Sequence, residues 1–119
     1  MLKDILINEL KKLDNVLFAY LFGSYATNGQ TSMSDIDIAV YLKDTSLDSQ
    51  LQLTYELSKV FSQDIDLIVL NDVKNIYLLE SILNESVVVK DSEDRIDFEL
   101  IKEHDILDYK AFKKYIDAA

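Results

Sequence analysis

An α/β fold follows from three observations. Short apolar runs of strand length alternate with segments whose apolar residues recur at helical spacing. Two of the strand candidates carry aspartates at alternate positions, as a strand with one polar face does. The 119 residues include no proline and only two glycines, which leaves no linker, repeat or low-complexity tract to divide the chain. One domain over residues 1–119 is expected, with helices packed against a sheet.

The elements follow in order. Leu2, Ile5, Leu6, Leu10 and Leu13 recur at helical spacing, and MLKDILINELKKLD reads as an amphipathic helix rather than a signal peptide. VLFAYLF, from Val16 to Phe22, is an apolar run of strand length that Gly23 ends. A short helical turn is expected over Ser24–Asn28 and a second strand over Ile36–Leu42. Leu47, Leu51, Thr54, Leu57 and Phe61 then mark a helix that Ser46 or Asp44 caps. Ile65–Leu70 is the third strand candidate. Asn71 or Asp72 is the expected cap of a helix carrying Val73, Ile76, Tyr77, Leu79, Ile82 and Leu83, and Val87–Val89 is a short β-branched strand. Helical spacing returns through Ile96, Leu100, Leu107, Ala111 and Tyr115, so a C-terminal helical segment is expected from about 92 to 119. Unbroken, it would be about 40 Å long, more than a domain of this size covers, so a break is expected near Asp105–Asp108.

Composition narrows the chemistry. With no cysteine and one histidine, thiolate sites are excluded and most histidine-based metal and triad chemistry with them, which leaves carboxylates and hydroxyls. The net charge of −10 repels a phosphate backbone, so no direct DNA or RNA binding is expected, whereas a basic protein partner is favoured. No apolar run reaches the roughly 20 residues of a membrane span, and a cytoplasmic protein is expected.

The aspartates are the informative residues. Asp35 and Asp37 share one strand face about 6.7 Å apart, while Ile36 and Ile38 face the core. Two carboxylates side by side repel unless a hard cation such as Mg²⁺ bridges them, although the same pattern also suits a solvated edge strand. Upstream, Gly23-Ser24 closes a strand at a turn where a glycine permits close approach of a ligand and free amides attract phosphate; taken alone, it is only a turn. Downstream, Asp64-Ile65-Asp66-Leu67 repeats the alternation, and Asp66 reaches the same cluster if the two strands are neighbours. Tyr25, beside the turn, is a candidate to stack on a base. His104 and the pairs Lys11-Lys12 and Lys113-Lys114 read as solvated, and Arg95, the single arginine, as one arm of a surface ion pair.

Together G23-S24, a spacer over 25–34, D35-I36-D37 and I65-D66-L67 resemble the signature of the minimal nucleotidyltransferases of the DNA polymerase beta superfamily. DIDLIVLNDVKNIYLLESILNESVVVKDSEDRIDFEL resembles the later half of that family, and ILDYKAFKKYI its C-terminal helix. The resemblance implies a polymerase-beta-like nucleotidyltransferase fold with a mixed four-stranded sheet. It implies that Gly23 and Ser24 hold the β- and γ-phosphates of ATP, that Asp35 and Asp37 bind Mg²⁺, and that Asp66 is third ligand and base. The implied reaction moves AMP from ATP to an acceptor hydroxyl. Free-standing members of this size resemble the antitoxin of two-gene systems whose toxin is a HEPN-type ribonuclease, and the implied acceptor is a tyrosine of that toxin. A non-catalytic antitoxin that works by contact and an aminoglycoside-type nucleotidyltransferase are the alternatives. The chain departs from the family pattern at Thr27, Asn28 and Gly29, and Gln30–Ser34 carries no basic residue.

Overall fold

The computed structural model describes residues 2–26 and 35–118, with Ser24 described by its backbone alone. Its elements are α1 (Leu2–Lys11), β1 (Val16–Phe22), a 3₁₀ turn at Gly23–Tyr25, β2 (Ile36–Leu42), α2 (Leu47–Phe61), β3 (Ile65–Val69), a second 3₁₀ turn at Leu70–Asp72, α3 (Ile76–Glu85), β4 (Val87–Lys90) and α4 (Glu93–Ala118). The expected turn over Ser24–Asn28 is described only as far as Ala26; Thr27 and Asn28 lie outside the described residues.

The strands form one mixed sheet in the order β3-β2-β1-β4. β1 runs antiparallel to β2 and to β4, and β2 runs parallel to β3. Each face carries its own core. Leu6 and Leu10 of α1 and Leu53 and Leu57 of α2 pack with Leu21, Ile36, Ile38 and Val40 on one side. Leu79 and Ile82 of α3 and Phe98 and Ile106 of α4 pack with Phe18, Tyr20 and Ala39 on the other. Covered on both faces, β1 is apolar throughout. A register shift between Val16 and Phe18 places neighbouring Leu17 and Phe18 on the same face. Among the described residues no helix is long and apolar enough to cross a membrane.

Three expectations are corrected. The cap of α3 is Asn75, whose side chain accepts from the amides of Tyr77 and Leu78, not Asn71 or Asp72. Asn71 instead clasps the end of β2, donating to the Leu42 carbonyl at 2.9 Å and accepting from the Leu42 amide at 3.0 Å. In α2, Leu47 and Leu51 are exposed, and Leu53 and Leu57 face the core. Ser46 does cap α2, accepting from the Ser49 amide.

The third correction concerns α4, which continues without a break through Asp105–Asp108. No glycine or proline interrupts it, and the ion pair Lys102–Asp105 and the contact of His104 Nδ1 with Asp108 brace that stretch. Its 26 residues are about 39 Å long, so the helix runs past the core it covers. The longest dimension of the molecule is accordingly 51 Å. Phe98 anchors the N-terminal half against Phe18 and Tyr41, with ring centroids 5.3 and 5.5 Å away. His104 is exposed as expected, and Arg95 is held by Asp91 and Glu99.

Candidate active site

Sheet register brings the predicted residues together. Phe22, the last residue of β1, pairs with Asp37 of β2, and Asp37 pairs in turn with Asp66 of β3. Gly23 therefore leaves β1 beside Asp37, with Asp66 one strand further on. Ile36 and Ile38 enter the α1/α2 core while Ala39 enters the α3/α4 core, so strand alternation puts Asp37 on the α3/α4 side. At this end of the strands Asp35 and Asp66 are exposed and Asp37 is half-buried. The ladder extends one step beyond the strands through the bond from the Ile36 amide to the Asp64 carbonyl, 3.1 Å.

Gly23 is fitted to this corner. Its φ of +71° lies in the left-handed region, and a Cβ built on it would stand 2.1 Å from Asp37 Oδ2 and 2.9 Å from Asp37 Cγ. Backbone and carboxylate thus share space that only glycine leaves open.

Asp37 and Asp66 are in direct contact. Partial burial pushes the Asp37 carboxyl up to about 6, helped by a hydrogen bond with the Asp66 carboxyl and by the charges of Asp66 and Asp35. A hydrogen bond between two carboxyls needs one proton between them. As the side chains stand, no three acidic or histidine residues among those described surround a common point. The donor set itself is all oxygen, the chemistry of a hard cation.

A cleft of about 240 Å³ opens beside the turn, lined by Phe22, Gly23, Ser81 and Glu85. The sequence pattern does not single out Ser81 and Glu85; the local signal is their spacing on α3, where Ser81 Oγ lies 3.4 Å from Glu85 Oε2. Tyr25 packs toward the α1/α2 core, and its hydroxyl accepts from Gln63 Nε2 at 2.7 Å, so the ring faces the layer opposite the acids.

A glycine turn thus abuts a carboxylate at one end of the sheet, with Asp35 just before the same strand and Asp66 on the adjoining one. Residues 4–96 match the family described as Polymerase beta, Nucleotidyltransferase, and the chain belongs to that family. A Methanocaldococcus jannaschii relative named "Putative protein adenylyltransferase MJ0435" is 40% identical over 91 residues, covering 70% of this chain and 97% of the relative. A solved structure described as a toxin-antitoxin with AMP-PNP is 26% identical with a TM-score of 0.75, covering 98% of this chain and 93% of that one. The same fold, at 22% identity and a TM-score of 0.72, occurs in a structure of a tri-AMPylated Shewanella oneidensis HEPN toxin in complex with MNT antitoxin, with 98% and 96% covered.

Proposed function

We propose that this chain is a Mg²⁺-dependent protein adenylyltransferase that moves AMP from ATP to a tyrosine hydroxyl of a HEPN-type ribonuclease toxin, and so acts as its antitoxin in the cytoplasm. The observation that carries this reading is the alignment of Gly23, Asp37 and Asp66 across three adjacent strands. The relative's name and the toxin-antitoxin neighbours support it, and the charge of −10 suits a basic partner.

In this reading residues 1–119 act as one nucleotidyltransferase domain. The Gly23 backbone and the Ser24 hydroxyl cradle the β- and γ-phosphates. Asp35, Asp37 and Asp66 hold Mg²⁺, which when bound supplies charge neutralisation at the α-phosphate and the leaving group. Asp66 takes the proton of the acceptor hydroxyl. The hydroxyl oxygen bonds to the α-phosphorus, the bond to the β-phosphate oxygen breaks, and pyrophosphate departs with its electron pair.

Intact-mass measurement of the toxin after incubation with ATP, Mg²⁺ and this protein tests the assignment. The expected result is an increment of one or more AMP groups that disappears with Asp37→Asn and with Asp66→Asn. Inhibition of the toxin with no added mass would assign a contact-only antitoxin instead.

A further inference from the structure

The chain has seven tyrosines, and their hydroxyls stand in different surroundings. Tyr20 is buried and donates to Glu99 at 2.6 Å; burial and that bond hold its phenol well above the usual range. Tyr77 is 52% exposed in the first turn of α3, and its hydroxyl accepts from Lys113 Nζ of α4 at 2.9 Å. The same nitrogen lies 5.5 Å from the centre of the Tyr77 ring. Among the described residues no other tyrosine takes a hydrogen bond from a lysine. Tyr109 stands edge-on to Tyr77 with ring centroids 6.0 Å apart, and Lys110 is held nearby by Glu80. The hydrogen bond from Lys113, the charges of Lys113 and Lys110 and the Tyr109 hydroxyl together hold the Tyr77 phenol below its usual range. Lys113 stays charged, because Tyr77, Tyr109 and Asp117 all favour its ammonium form.

An exposed phenol beside a fixed ammonium is a prepared nucleophile, and its own active site is out of reach. α3 begins beyond the far end of β3 and runs back, so that Glu85, its last residue, lines the cleft at Gly23. Tyr77 is about 12 Å from Glu85 along the helix axis, at the end of the sheet opposite to Asp37 and Asp66. A second molecule brings the two together. Lys74, Lys110 and Lys113 against Glu80 give Tyr77 a positive neighbourhood on a chain of net charge −10, whereas Asp35, Asp37, Asp64 and Asp66 make the active-site end negative, and a bound triphosphate adds to that sign. The encounter is electrostatically favourable in this orientation.

We infer that Tyr77 is a self-modification site: one copy of this chain transfers AMP from ATP to the Tyr77 hydroxyl of another. The inference rests on the adenylyltransferase reading given above. The Tyr77 oxygen bonds to the α-phosphorus of the ATP held by the second copy, the bond from that phosphorus to the β-phosphate oxygen breaks, and pyrophosphate leaves with the electron pair. The phenolic proton passes to Asp66 of the second copy. The phosphodiester formed on Tyr77 carries one negative charge beside Lys113, which then pairs with it as a charge-assisted contact.

Intact-mass measurement of the full chain incubated alone with ATP and Mg²⁺ tests the site. One AMP increment is expected, located at Tyr77 by peptide sequencing and absent from Tyr77→Phe, which keeps its helicity and its transfer to the toxin. Mixing Tyr77→Phe, whose acids are intact, with Asp37→Asn, whose tyrosine is intact, reads the direction. The increment is expected on the Asp37→Asn chain, which gains none by itself. Lys113→Gln is expected to slow labelling of Tyr77 about tenfold at neutral pH and to move the alkaline rise of its rate to higher pH, with transfer to the toxin unchanged. A parent that modifies the toxin and stays unmodified itself would overturn the inference and leave the enzymatic reading standing. An increment that survives Tyr77→Phe, an unlabelled Asp37→Asn chain in the mixture, or indifference to Lys113→Gln would each overturn it as well. Failure to modify either protein would overturn both readings.

Discussion

At Gly23 a methyl group would stand 2.1 Å from Asp37 Oδ2, on a backbone with φ of +71°. Gly23→Ala combines left-handed strain of about 1–2 kcal/mol with displacement of the carboxylate. A stability loss of about 1–3 kcal/mol by urea denaturation is expected, together with loss of transfer activity. Asp37→Gly in the Gly23→Ala background is expected to recover part of the stability and none of the activity, a coupling that a double-mutant cycle reads directly. Asp37 itself predicts a pH dependence. In the folded chain its carboxyl holds a proton up to about pH 6, against about 3.9 for a free aspartate. The folded state therefore binds more protons between those limits, so this contribution is complete below about pH 4 and lost as pH rises through about 6. After allowance for solvent screening it is of order 1 kcal/mol. Melting curves from pH 4 to 7 without divalent cations are expected to show the loss in the parent relative to Asp37→Asn. Asp35, Asp37, Asp66 and Gly23 were legible as candidates because acid in a β-branched run conflicts with core burial and a glycine punctuates the strand. Ser81 and Glu85 were not, because a serine and a glutamate on a helix are ordinary surface residues until the fold turns them toward Gly23.

The strands were read to within a residue because their sequences are apolar on two covered faces and bounded by polar turns. The helices were found, but not always their inward sides. In α2 the leucines are spread around the helix, so periodicity includes Leu57 but does not choose Leu53 over Leu47 and Leu51. The segment from Leu70 to Asn75 offers three polar residues suited to capping, and only the path of the chain decides among them. Asn71 pins the end of β2 with two hydrogen bonds, whereas Asn75 caps α3. Asn75→Ala is expected to cost about 1 kcal/mol. Asn71→Ala is expected to cost about 1–3 kcal/mol, because it leaves two part-buried backbone groups unpaired. Thermal melts of the two variants beside the parent give the order.

The molecule as a whole places its chemistry at one end of the sheet and extends a long helix beyond the core. The sequence length argues for a break in α4 if a helix must be covered along its length; Lys110 on Glu80 and Lys113 on Tyr77 instead support it past that point. If Asp35, Asp37 and Asp66 hold the nucleotide-bound cation, ATP with Mg²⁺ is expected to stabilise the fold by about 2.7 kcal/mol at a hundredfold excess over Kd. Differential scanning calorimetry is expected to show that gain in the parent and not in Asp37→Asn. The sheet order has one more consequence. β3 is a border strand, and the solvent-exposed acids Asp64 and Asp66 lie at its start. Charges at such a position deter runaway strand addition, so the carboxylate read as the base also guards against fibre-like stacking, and its replacement by an apolar residue would expose the border to self-assembly.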